Sequence, residues 1–151
     1  MKKTGLALAL LCASMLSWAA DTPVGFVKTL SGEAFVTTQG SKQKAALGTP
    51  VFQGSQLQTG PKSSMGVTFK DDTVMSFGPD TQVTVDEYLY QPAEGKVKLG
   101  SKLVKGTLNY LSGSIAKLKP EAVTIGTPSG TITVRGTHFV ATVEDTVETT
   151  A

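Results

Sequence analysis

Ile132 and Val134 alternate with Thr131, Thr133 and Arg135, the period-two pattern of a half-buried strand. Beyond Gly136 the apolar set moves to the odd numbers, with Phe139, Ala141 and Val143. A one-residue change of register turns every side chain to the other face, so the chain must absorb the change at Arg135-Gly136-Thr137. Gly136 has no Cβ to restrict φ and can form the bulge or bend required. The segment therefore predicts strand, corner, strand. The same alternation recurs upstream. Met65, Val67 and Phe69 precede a polar turn at Lys70-Asp71-Asp72-Thr73, Met75 and Phe77 follow it, and Val83 and Val85 continue beyond Gly78-Pro79-Asp80.

The rest of the chain reads in the same way. Gly25 to Leu30 opens as a strand, Ser31-Gly32 breaks it and Ala34-Phe35-Val36 resumes it. Gly48 to Gly60 predicts short strands with corners, and Asp86 to Gly95 reads as a longer connection. Val97 and Leu99 alternate with Lys96 and Lys98, and Leu103, Leu108 and Tyr110 follow. Leu111-Ser112-Gly113 echoes Leu30-Ser31-Gly32, a faint sign of stacked rungs, and Ile115 and Leu118 continue the apolar alternation less strictly. No segment holds an i, i+3, i+4 stripe over three helical turns. The expected fold is all-β: a β-solenoid, or a twisted sheet, sandwich or small barrel of short strands with glycine corners. Gly32, Gly113, Pro128 and Gly136 are the expected structural positions, within a single β-domain over residues 24–143 and ahead of a flexible acidic tail over 144–151.

Composition changes the picture at the N-terminus. Lys2 and Lys3 precede a short apolar run from Leu6 to Leu16, and Ser17-Trp18-Ala19 offers small residues where a signal peptidase inspects the chain. Residues 1–19 read as a secretory signal of bacterial type, with cleavage after Ala19 and Ala20 as the runner-up; the run is too short for a spanning helix. Lipoprotein processing at Cys12 does not fit, because Leu11 stands where a small residue is needed. Lys2 and Lys3 also account for the whole net charge of +2, so the processed chain is neutral and the basic balance argues for no nucleic-acid partner. Cys12 is the single cysteine, so the processed chain has neither a disulfide nor thiol chemistry. About 130 residues suffice to bury one core without such a staple.

Charge is uneven along the chain. Lys70 to Glu94 carries six acids (Asp71, Asp72, Asp80, Asp86, Glu87 and Glu94), whereas Lys96 to Pro120 carries six lysines and no acid. Lys96 and Lys98 flank Val97, and Lys117 and Lys119 flank Leu118, so each pair should share a face opposite the core. The plain reading is a solvated face that protects a sheet edge; the functional one is a docking strip for an acidic partner, with Arg135 as a further contact or a rim ion pair. Catalytic chemistry has little to work with. His138 is the single histidine and should face outward opposite Phe139, Asp71-Asp72 fits a turn, and no phosphate loop is present. No catalytic residue, cofactor or metal ligand is expected.

Leu30-Ser31-Gly32, Leu47-Gly48, Thr59-Gly60, the strand–turn–strand unit from Val67 to Val74, Gly78-Pro79-Asp80-Thr81, and Thr127-Pro128 with Arg135-Gly136-Thr137 follow one another in the order found in the FecR domain, which the chain resembles from about Val24 to Val143. Asp72 departs from the pattern, since the family usually has glycine there, which implies a tighter or differently typed turn. The resemblance implies a periplasmic β-domain that senses or binds a partner. In the name-giving member that domain receives a signal from an outer-membrane receptor and passes it through the membrane to an anti-sigma segment. This sequence shows no transmembrane or anti-sigma segment, so only the extracytoplasmic binding module is carried over.

The expected function is a non-catalytic, periplasmic or secreted module that docks another envelope protein, for instance by strand addition at an open sheet edge. The alternatives are a structural envelope or matrix component that assembles through sheet edges, and a glycan-binding module that uses Tyr88, Tyr90 or Tyr110. The export reading is checked by intact mass: the protein recovered from the envelope or medium begins at Ala20, and a retained leader contradicts it.

Overall fold

The computed structural model describes residues 22–134 and 136–144. The expected leader with Cys12, Arg135 and the expected flexible tail beyond Glu144 lie outside the described residues. The elements run β1 (Gly25–Ser31), β2 (Ala34–Thr38), β3 (Ser41–Lys44), β4 (Pro50–Val51), β5 (Gln56–Thr59), β6 (Ser64–Phe69), β7 (Val74–Phe77), β8 (Gln82–Gln91), β9 (Lys96–Leu111), α1 (Ser114–Leu118), β10 (Val123–Thr127), β11 (Gly130–Thr133) and β12 (His138–Val143). All strands belong to one curled sheet in the order β3-β2-β5-β8-β9-β7-β6-β1-β4, with β10 and β12 both added to β9 and β11 added to β10. The result is an all-β half-barrel, the twisted sheet among the expected alternatives. The two Leu-Ser-Gly segments are not stacked rungs: Leu30 pairs with Met65 on β6, whereas Leu111 pairs with Val74 on β7.

β9 is the spine. One edge of it pairs with β8 and then β7, the other with β10 and then β12. Leu99 and Leu103 face the core in its first half, Leu108 and Tyr110 in its second, so the parity of the buried face switches midway. Gly106 takes φ +92 there, and a Cβ would collide with Thr81. Thr81 Oγ1 accepts a 3.0 Å hydrogen bond from Thr107 N at the bend.

A second parity switch explains why the sequence hides half of β8. Val83 and Val85 point inward, Asp86 is an unpaired bulge residue, and Tyr88 then points inward instead. Asp86 to Gln91 is therefore strand, and the longer connection expected there is a correction. Elsewhere the alternation reads true. β6, β7 and the first part of β8 follow the expected faces, and in β12 Ala141 is buried while His138, Val140 and Thr142 are exposed. Asp72 takes φ +68, so it adopts the left-handed conformation that glycine provides in the family, and an aspartate tolerates it.

The segment from Ser112 to Ala122 overturns the expectation of continued alternation. Ser114–Leu118 is a short helix that buries Ile115 and Ala116, while Leu118 is 61% exposed. Lys117 and Lys119 therefore do not flank a core residue on a strand, and at helical spacing two positions apart they do not share a face. This segment is the crossover that a parallel pair requires, because β10 runs parallel to β9 with Val123 beside Leu99.

Asp71 ties the curl together. Its side chain is buried, and it accepts hydrogen bonds from the Tyr88 hydroxyl at 2.9 Å, the Thr73 hydroxyl at 2.6 Å and Ile115 N at 3.1 Å. Its backbone N donates to the Tyr88 oxygen at 3.0 Å, and its carbonyl accepts from Ser114 N at 2.7 Å. Tyr88 lies opposite Leu99 near one end of β9, and Ile115 follows the other end, so a single carboxylate joins both. The approach is close enough that a Cβ at Gly113 would overlap the backbone of Thr73 and Asp71. The expected structural role of Gly113 thus has a concrete cause, as does that of Gly32, which takes φ +76 against Ser63. Asp71→Ala strands two hydroxyls and the amides of Thr73 and Ile115 in the interior; urea unfolding should show a loss of about 3 kcal/mol or more, and a loss under about 1 kcal/mol would contradict the clamp.

Candidate functional site

The ends of a sheet are where it can recognise another chain. β3 ends one side of the half-barrel and is fully exposed, with Lys42 and Lys44 on it. β4 ends the other and is two residues long. Along β8 the outer edge beyond Thr84 is interrupted by the Asp86 bulge, and Gln53 Oε1 accepts from Tyr88 N at 3.3 Å. Charge, brevity and a bulge are the usual devices that stop stray pairing. β12 has none of them, whereas β11, which also ends the sheet and also lacks charge and proline, is only four residues long. The β12 sequence from His138 to Val143 contains no lysine, acid or proline, and among the described residues it pairs with β9 alone.

The backbone direction of β12 follows from its neighbours. Gly78 N donates to Thr107 O at 3.0 Å and Thr107 N donates to Thr81 Oγ1, so the Thr107 backbone groups face away from β12. Residues opposite one another in an antiparallel pair alternate between bonded and non-bonded. Thr142 lies opposite Thr107, so its N–H and C=O point to the free edge, as do those of Val140 and His138.

Beside this edge lies a cleft of about 900 Å³ between β12 and the β10–β11 hairpin. Val104, Ile132, Phe139, Ala141 and Val143 give it an apolar floor, and Glu144 stands at its rim. It exists because β10 leaves β9 at Lys102 and β12 joins at Gly106, which exposes one flank of β9 between them. The hairpin turns through Pro128-Ser129, with Thr127 opposite Gly130 and the Thr127 hydroxyl donating to Gly130 O at 2.9 Å. Pro128 thus shapes one wall. At the other end Gly136 takes φ +102 and its carbonyl accepts from the Ser112 hydroxyl at 2.9 Å, which anchors the corner before β12. Phe139 stacks on buried Tyr110 with ring centroids 4.9 Å apart.

The expected docking lysines sit elsewhere. Lys96 and Lys98 lie on the first turn-proximal residues of β9, 3.7 Å from Glu94 and 2.7 Å from Glu87. Two of the lysines thus meet acids at the turn end of the β8–β9 hairpin, whereas Lys102 and Lys105 lie opposite Thr84 and Gln82. The two ion pairs are more than half exposed and worth ~0–1 kcal/mol each. Lys117 and Lys119 are exposed around α1. His138 faces outward as expected, with Nε2 2.6 Å from Asn109 Oδ1. The open edge of β12 was not legible in the sequence, since alternation reports a strand's faces and says nothing of what lies along its edges.

Residues 55–151, well over half of the chain, match the family model described as FecR protein. The chain belongs to the FecR protein family. No curated protein and no solved structure matches it. The match takes in β5 to β12 and the whole cleft, while Leu30-Ser31-Gly32 and Leu47-Gly48 precede it. FecR proteins are envelope-associated and act in sensing and regulation rather than catalysis. Among the described residues no helix is long and apolar enough to cross a membrane, and no cluster of His, Cys, Asp and Glu is arranged to hold a metal ion.

Two of the three tyrosines named as possible sugar platforms are withdrawn from the surface, and Tyr90 is half-buried. Tyr110 is fully buried, and Tyr88 is 8% exposed and stacked on Phe69. Burial and the neighbouring Asp71 carboxylate push the Tyr88 phenol far above its ordinary 10.0, and burial raises Tyr110, offset in part by the nearby Ser112 and Thr73 hydroxyls. Both phenols are held neutral in the fold. Their contribution to stability is complete below pH 10.0, the unfolded value, and is lost as pH rises above it. In a pH titration followed at 295 nm, Tyr88 and Tyr110 should ionise only together with loss of the β circular-dichroism signal. Ionisation of all three tyrosines near pH 10.0 with the fold intact would contradict this.

Proposed function

We propose that this FecR-family chain is an extracytoplasmic, non-catalytic sensing module that binds an extended segment of another envelope protein by strand addition on β12. The observation that carries the reading is the contrast between edges: β12 presents outward backbone groups at His138, Val140 and Thr142 with no charge or proline to repel a strand, beside an apolar cleft. Main-chain hydrogen bonds would supply affinity and the cleft floor would select alternate apolar side chains. Lys96, Lys98, Lys117, Lys119 and Arg135 have the chemistry to act as rim charges for a partner with acidic flanks, affecting encounter rate more than residence. The leader pattern at residues 1–19 supports a location in the periplasm or beyond.

Thr142→Pro tests the reading. It removes an outward N–H that β9 does not use, and proline is tolerated where the N–H side of an edge strand faces solvent. The fold should persist by circular dichroism while crosslinked capture of the envelope partner is lost. Reversal of Lys96 and Lys98 to glutamate should slow capture without abolishing it. Capture unaffected by Thr142→Pro would place the docking surface elsewhere.

A further inference from the structure

Taking the open β12 edge as the docking edge, we infer that in the absence of a partner a second copy of this chain occupies it, through antiparallel pairing of β12 with itself about Val140. Val140, His138 and Thr142 all direct N–H and C=O outward. A twofold axis at Val140 sets each Val140 opposite its own copy and each His138 opposite Thr142 of the second copy. All three outward residues within β12 are then satisfied. A register centred one residue later uses only Val140 and Thr142 within the strand. The same register is complementary on the cleft face, where large Phe139 meets small Ala141 of the second copy.

Nothing on the edge opposes this arrangement. β12 carries no acid or lysine, so no like charges face one another across the axis, where they would destabilise the pair. On the outer face Val140 is 56% exposed and Leu111, diagonal to it on β9 and opposite His138, is 46% exposed. The twofold brings the Val140 side chains together and draws both patches toward the seam. An interface that uses the same surface on both copies closes on itself and does not propagate into a filament. Because the dimer and the partner segment need the same backbone groups, each excludes the other. The dimer is a guarded resting state, and capture of the partner requires it to open.

The test uses the purified chain from Ala20 onward, which contains no cysteine, so that any added cysteine is the sole thiol. Sedimentation velocity should find dimer at micromolar concentration. Val140→Lys should shift it to monomer by more than about tenfold in dissociation constant, because like charges then meet directly across the axis. Val140→Cys should form a disulfide-linked dimer under mild oxidation, since a hydrogen-bonded antiparallel pair holds Cα atoms about 5.5 Å apart, within disulfide reach. Thr133→Cys on β11 should not. Circular dichroism of each variant guards against misfolding, and the cysteine variant tests the register even if the lysine variant fails to fold. A monomer at every concentration, a dimer indifferent to Val140→Lys, or equal crosslinking at Thr133→Cys overturns the inference. A monomer whose partner capture still needs an intact Thr142 sinks the dimer and spares the docking reading. A Val140-dependent dimer whose capture ignores Thr142→Pro does the reverse.

Discussion

Every backbone N–H and C=O buried in a sheet must find a partner, and β9 imposes that demand over sixteen residues on two edges. No other single strand is long enough to meet it, so each edge is covered in two instalments: β8 then β7 on one, β10 then β12 on the other. The bend at Gly106 falls where the instalments change over. The cleft is the seam between β10 and β12, and its apolar floor is what a curled sheet leaves visible where two covering strands do not meet. The cleft is thus a by-product of how one long strand is satisfied.

Curl alone would leave the half-barrel open at the end where α1 returns. Asp71 closes it. A carboxylate taken out of water is costly unless hydrogen-bond donors replace the solvent, and here two hydroxyls and two backbone amides do so from three separate segments. That arrangement fixes α1, and α1 delivers the chain to β10. The same contact holds Tyr88 neutral and shut off from solvent, which is why this tyrosine is part of the packing rather than a sugar platform.

Sensing by such a module needs no reactive group. It needs an edge that is stable alone and better satisfied in company. The edges at β3, β4 and β8 are defended by lysines, brevity or a bulge; β11 and β12 carry no such charge or bulge, and β12 is the longer of the two, in the part of the chain that carries the family match. A strand without such defences will pair with whatever matches its spacing and faces, a second copy included, and mutual exclusion between the two occupants is a natural means of control.

The sequence alone determined the strands that keep one parity throughout, such as β6, β7 and β12, because alternating burial is written directly in residue type. It also placed the corner at Gly136 and the turn at Pro128, since few residues meet those backbone demands, and the ordered set of turns pointed to the FecR domain. It did not show β8 beyond Asp86 or the unity of β9, because a bulge or bend moves the buried face to the other parity and breaks the only local signal a strand has. Leu118 misread as core for a related reason: five residues are too few for a helical period to declare itself. Which lysines meet which acids, what Asp71 holds, and above all which strand ends the sheet depend on pairing between residues far apart in the chain. Only the tertiary structure decided these, because a side-chain pattern records which way a strand faces and carries no information about what lies beside it.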